Sequence, residues 1–185
     1  MEYFRTVTLK DGRECIIRNG TQADGQAALD NYLLTHEQTD NLLAYADEAT
    51  MTAESEGEYL QREAQSDTDV QLVAIVDGKL VAMAGVNSLG KRYKIRHRGE
   101  LGISVDKELW GLGIGNALMA SCIECAKKMG FEQVELEVIA GNDTAMYLYE
   151  KYGFVEYGRN PKGLKSRYTG YQETVLMRLD LTEYK

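Results

Sequence analysis

Apolar residues recur with period two in some stretches of the chain and at helical spacing in others, and the changes of period mark out the elements. Phe4 to Leu9 and Glu14 to Arg18 read as two strands joined through Lys10-Asp11-Gly12, where Asp-Gly is a strong hairpin signal. Thr21 is placed to cap a helix that carries Ala27, Ala28, Tyr32, Leu33 and Leu34 on one face and ends before the polar His36-Glu37-Gln38-Thr39. Leu42 to Ala64 mixes short apolar groups with many acids. A second helix is expected there, around Ala53 to Gln65, with a mobile loop ahead of it. Val70 to Val76 and Leu80 to Val86 form a further hairpin across Asp77-Gly78. Lys91 to Arg98 is basic, and its alternating Tyr93, Ile95 and His97 suggest an extended, partly exposed segment. Its charges would either attract anionic groups or discourage edge pairing.

Leu101, Ile103 and Val105 alternate as a strand with one buried face, and Gly102 interrupts the other face, as at a bulge or a close backbone approach. The polar Asp106-Lys107-Glu108 ends this strand, and Gly111, Gly113 and Gly115 then permit a tight turn. From Ile114 the small and apolar positions 114, 117, 118, 121, 122, 125, 126 and 129 make a helical stripe that stops at Gly130. Val134, Leu136 and Val138 alternate in the next strand, with Glu135 and Glu137 on its other face. Asn142 is a good amino-terminal cap for a helix with Ala145, Leu148, Tyr149 and Tyr152 on one face. Val155 to Tyr157 and Glu173 to Leu181 read as the last two strands. Between them, Arg159 to Tyr171 reads as a polar loop holding the single proline, Pro161. No repeat or linker divides the chain, so residues 1–185 are expected to form one α/β domain.

Composition narrows the function classes. With 44% hydrophobic and 27% charged residues the chain has the balance of an ordinary globular domain. A net charge of −8 argues against nucleic acid as the main partner and tolerates cationic, amine-bearing substrates. No apolar run approaches the roughly 20 residues that cross a bilayer, and Met1-Glu2-Tyr3-Phe4-Arg5 lacks a signal-peptide core, so a cytoplasmic protein without a membrane partner is expected. Cys122 and Cys125 fall on the helical stripe and Cys15 in a strand-like run, which makes all three core residues rather than a metal or redox site. His36 and His97 complete no nucleophile constellation, and no metal is expected.

Consecutive backbone N–H groups in a glycine turn that opens a helix point at one spot, and the helix dipole reinforces them as an anion site. The spacing fits neither nucleotide fingerprint: Asn116 and Leu118 occupy the positions where a dinucleotide motif needs glycine, and the Lys and Ser/Thr of a P-loop are missing. Trp110-Gly111-Leu112-Gly113-Ile114-Gly115 instead resembles motif A of the GNAT superfamily of N-acetyltransferases, a strand followed by Arg/Gln-x-x-Gly-x-Gly/Ala, with Trp110 where Arg or Gln is usual. Asn142 to Phe154 resembles motif B of the same family, Asn-x-x-Ala-x-x-Leu-Tyr-Glu-Lys-x-Gly-Phe, at every one of those positions. The resemblance covers about residues 70 to 157.

The resemblance implies a mixed, mostly antiparallel central sheet of about six to seven strands flanked by about four helices and splayed at the central strand 100–105. It implies acetyl-CoA as acetyl donor. On this reading Trp110, Gly111, Leu112, Gly113, Ile114, Gly115 and Asn116 hold the pyrophosphate, Ile103, Ser104 and Val105 hold the acetyl arm, and Asn142 and Ala145 contact the cofactor further on. The Val105 N–H would polarise the thioester carbonyl. Tyr149 would give a proton to the departing thiolate, and Glu100 would take one from the attacking amine. The implied reaction is direct attack, in a ternary complex, by a primary amine of a small molecule or peptide. Segments 36–65 and 158–172 would shape the acceptor side, where Asp47, Glu48, Glu54, Glu56 and Glu58 face either the amine or solvent. A cofactor-binding regulatory module without turnover and a transferase acting on a protein amino terminus or lysine remain as alternatives. The terminal strands are the candidate surfaces for a homodimer.

Overall fold

A computed structural model describes residues 2–184. The strands are β1 (Phe4–Thr8), β2 (Glu14–Asn19), β3 (Asp69–Val76), β4 (Lys79–Ser88), β5 (Arg98–Val105), β6 (Gln133–Ile139), β7 (Val155–Ser166) and β8 (Gly170–Asp180). The helices are α1 (Gly25–Gln38), α2 (Ala53–Ala64), α3 (Ile114–Lys128) and α4 (Asp143–Lys151). All eight strands join one sheet in the order β1-β2-β3-β4-β5-β6-β8-β7, so the strand count exceeds the expected six to seven while the four helices agree.

Every neighbouring pair is antiparallel except β5 and β6, the two strands joined through α3. That parallel pair is short: Arg98, Gly99 and Glu100 face Gln133, Val134 and Glu135, and the ladder then stops. β5 continues beside β4 as far as Val105, whereas β6, paired with β8 along its whole length, continues beside it as far as Ile139. A wedge opens between the two strands from Leu101 onward, on the strand where a splay was expected.

The alternation along the strands divides the core. Leu72, Ala84, Leu101 and Leu136 face α3 and α4, where they meet Ile114, Leu118, Cys122 and Tyr149. Val73 and Met83 face the other way and meet Ala28 of α1 and Leu60 of α2. All three cysteines are free and buried in the first of these clusters, as their positions predict.

Three segments depart from the sequence pattern. Residues 159–171 are not a loop, because β7 and β8 run on into a long hairpin as far as the pair Ser166 and Gly170. Pro161, which lacks an amide donor, falls where the register shifts between Asn160 and Leu164. Lys91 to His97 is a run of turns and not an extended strand; the amides of Ile95 and Arg96 donate to the Arg92 carbonyl. This segment precedes β5 and the glycine turn follows it, so the strand's eight residues, at about 3.3 Å each, keep its four cations, Lys91, Arg92, Lys94 and Arg96, from a phosphate at the turn. Finally, α1 runs through His36 to Gln38 and buries Ala28, Asn31 and Thr35 instead of the Leu33–Leu34 face. His36 stacks on Tyr32 at 3.7 Å, and Gln38 brackets the end of β5 by donating to Asp106 and accepting from the Lys107 amide, both at 2.8 Å.

Candidate functional site

The glycine turn lies at the open end of the wedge. Gly111 and Gly113 have φ of +79° and +102°, and the space where a Cβ would project is empty at both. Backbone conformation rather than crowding requires glycine here. Gly113 caps α3, and the amides of the first helical turn have no carbonyl above them, so they converge with the positive end of the helix dipole. Two further groups brace the turn. The Trp110 indole Nε1–H donates to the Val105 carbonyl at 2.8 Å, and the Lys10 amide of the β1–β2 hairpin donates to the Leu112 carbonyl at 3.1 Å.

The same strand end presents a free donor. The amide of Asp106 donates to Val81, which directs even-numbered amides of β5 toward β4 and odd-numbered ones away from it. The N–H groups of Ile103 and Val105 therefore point into the wedge that β6 has left. Trp110 occupies the carbonyl of Val105 and leaves its N–H open.

A cleft of about 380 Å³ fills the wedge. Of the predicted site residues it brings together Ile103, Ser104, Val105, Trp110, Gly111, Gly113, Ile114, Gly115, Asn116, Asn142, Ala145 and Tyr149. Leu112 faces an adjoining groove of about 320 Å³ beside Arg5 and Lys10. Asn142 caps α4 by accepting from the Ala145 amide at 3.3 Å. Tyr149 is only 7% exposed, and burial pushes its phenol up to about 12. Its ring packs on Phe154, and the residue lines the cleft.

Glu100 stands apart. It lies where β5 and β6 are still paired, on the exposed side of the strand, and does not line the cleft. The carboxylate that does is Glu137, beyond the point where β6 leaves β5, and it accepts from the Thr174 hydroxyl of β8. The alternation of β6 showed that Glu137 faces away from the core; only the strand order shows that this face overlooks the wedge.

The far wall of the cleft comes from α1 and the loop after it, through Thr35, Thr39, Asn41, Leu42 and Leu43. Leu43 is 85% exposed, a large apolar side chain with nothing packed over it. Asp40 ties this loop to the β7–β8 hairpin. It accepts from Ser166 at 2.6 Å and from Gln172 at 3.3 Å, and its other oxygen accepts from Tyr45 at 2.9 Å. Tyr45 in turn accepts from the Arg167 amide at 2.8 Å. Of the five acids expected on this side, none lines the cleft. Asp47 and Glu48 pair with Arg167 at 2.7 and 3.5 Å, Glu56 is buried on α2, and Glu54 and Glu58 are exposed.

An open amide aimed between two diverging strands can polarise a carbonyl. A buried phenol can supply a proton, and a carboxylate opposite can accept one. Among the described residues no group of three or more His, Cys, Asp or Glu is placed to hold a metal. No helix among them is long and apolar enough to cross a membrane.

Comparison with known proteins gives a concordant picture. Residues 34–154 match the model of the acetyltransferase (GNAT) family. The L-amino acid N-acetyltransferase AaaT of Escherichia coli K12 is 34% identical over 93 residues, covering 50% of this chain and 57% of that protein. The chain thus spans little more than half of that curated relative. An acetyltransferase of the GNAT family from Streptococcus pneumoniae superposes with a TM-score of 0.86 at 27% identity, over 90% of this chain and 99% of that one. The yncA protein of Salmonella typhimurium, solved with its cofactor acetyl-CoA, superposes at 0.80 over 91% and 95% of the two chains. At 19% identity it shows the likeness of fold.

Proposed function

Because the chain belongs to the GNAT family of acetyltransferases, we propose that it moves the acetyl group of acetyl-CoA to a primary amine of a small molecule or peptide, by direct attack in a ternary complex. The observation that carries this reading is the wedge after Glu100, which sets the free N–H of Val105, Tyr149 and the carboxylate of Glu137 around one cleft that ends in the glycine turn.

Amides at the start of α3 hold the pyrophosphate, and Ile103 to Val105 align the pantetheine arm as an added strand would lie. An amine with a pKa near 10 is neutral in only about one molecule in a thousand at pH 7, so the enzyme must take a proton from it. Glu137 does so, directly or through one water. The amine nitrogen then bonds to the acetyl carbon while the Val105 N–H stabilises the oxyanion. When the carbon–sulfur bond breaks, Tyr149 gives its proton to the thiolate, and the second proton lost by the nitrogen as the amide forms returns to the phenol through water. Glu100, outside the cleft, has no direct part in these steps.

Release of free CoA, measured with a panel of primary amines that includes amino acids, the acceptor class named for the Escherichia coli relative, tests the proposal. Turnover with an acetylated product confirmed by mass spectrometry is expected. Tight acetyl-CoA binding with no turnover on any amine would establish the regulatory module instead.

A further inference from the structure

The cleft is polarised in charge. The cations among its lining residues are Lys10 and Lys151, and both stand at the glycine-turn end. The Lys10 backbone is bonded to Leu112, and the Lys151 ammonium donates to Asn116 at 2.5 Å. At the opposite end the lining residue that carries charge is Glu137.

Further cations on the surrounding elements do not line the cleft: Lys107 sits over the Trp110 ring and Lys162 and Lys165 over the Tyr171 ring, while others are held in ion pairs. Arg98 of β5 is held by Glu135, with its second nitrogen at 2.7 Å. Arg159 of β7 pairs with Glu156 and Glu173, and Arg167 at the hairpin tip pairs with Asp47 and Glu48. Arg178 stands opposite Glu135 on β8 and does not line the cleft. Burial holds the His36 imidazole below its usual value, which disfavours its charged form.

We propose that the acceptor is a cationic amine with no carboxylate beside its nitrogen, and that free amino acids are discriminated against. This rests on the transferase reading. A substrate carboxylate entering the Glu137 end would lose water, find no cation and meet a like charge, while an ammonium arriving there meets its counter-charge. Lys10 and Lys151 cannot serve a carboxylate, because the phosphates of the bound co-substrate occupy their end of the cleft.

Matched pairs of acceptors test this: an L-amino acid with a single amine and the amine left when its carboxyl group is removed, for example phenylalanine and 2-phenylethylamine, or leucine and 3-methylbutylamine. The alkylamine is the stronger base, so less of it is neutral at a given pH, and a preference for it cannot come from basicity. A kcat/KM at least tenfold higher for the alkylamine in each pair is expected. Asn41→Lys, which puts a cation on the cleft wall at the acceptor end, should narrow that ratio by raising use of the amino acid. Amino acids used as well as or better than their amines would overturn the proposal. Acetyl-CoA binding by calorimetry with neither member of any pair acetylated would instead overturn the transferase reading, and this one with it.

Discussion

Trp110 holds the end of the strand it follows: its indole N–H donates to the carbonyl of Val105 at 2.8 Å, and Lys107 sits over the ring at 5.9 Å. Trp110, standing where the motif usually has Arg or Gln, thus braces the protein itself, at the strand end where the free N–H of Val105 and the first amides of the turn meet one cleft. Trp110→Phe keeps the ring and removes the donor. A hydrogen bond of this kind contributes about 1 kcal/mol, so acetyl-CoA affinity by calorimetry should fall about fivefold, and kcat should fall with it because the oxyanion donor is less well placed. An unchanged affinity would make the brace incidental.

Tyr149 separates two titrations. Burial raises its phenol to about 12, so it remains protonated across the working range and can protonate a thiolate at any pH below 10. The rise of kcat/KM with pH then reports acceptor deprotonation, and no falling limb from Tyr149 is expected until well above pH 10. The stability linkage has the same sign: the buried phenol is not penalised below the unfolded value near 10, and stability is lost as pH climbs from there through about 12. Tyr149→Phe should lower kcat about 100-fold with acetyl-CoA affinity within twofold. A falling limb between pH 8 and 9 that disappears in Tyr149→Phe would contradict this assignment.

Glu137 and Glu100 make opposite predictions although both belong to the splayed pair of strands. Glu137→Gln keeps the contact with Thr174 and abolishes the proton acceptor, so kcat/KM should drop about 100-fold and the loss should shrink as pH rises and more of the amine arrives neutral. Glu100→Gln, outside the cleft, should stay within about twofold of the parent. The pair of pH–rate profiles decides between them.

The half of the site that sequence exposes best is the half made of backbone. A glycine turn and an Asn-capped helix are local structures, so Gly111 to Gly115 and Asn142 to Tyr149 carry their own signals wherever the rest of the chain goes. Glu137 was visible only as an outward residue on an alternating strand, since its role depends on β6 parting from β5 after Glu135 while it stays paired with β8, a long-range arrangement that periodicity cannot express. The β7–β8 hairpin was hidden for a related reason. β7 is exposed along most of its length, Val155 and Tyr157 included, so the outer strand lacks a buried face to alternate against, and the ladder holds it. In α1 the buried Asn31 and Thr35 reverse the expected rule, because packing on β4 rather than residue polarity chose the face. At Lys91 to His97 the period-two pattern competed with local hydrogen bonds to Arg92, and the turns won.

Asp40 controls the acceptor side without lining the cleft. Its two oxygens take three hydrogen bonds, from Ser166, Gln172 and Tyr45, and so fasten the loop bearing Asn41, Leu42 and Leu43 to the β7–β8 hairpin. Asp40→Ala removes all three at once and leaves the glycine turn, α3 and α4 untouched. The loop must then be ordered by the acceptor itself, and that cost appears as weaker binding. An increase of about tenfold in KM for the amine, corresponding to about 1.4 kcal/mol, is expected, with acetyl-CoA affinity unchanged and faster proteolytic cleavage between residues 39 and 52. Loss of cofactor affinity in the same measure would mean that the hairpin supports the whole cleft rather than its acceptor wall.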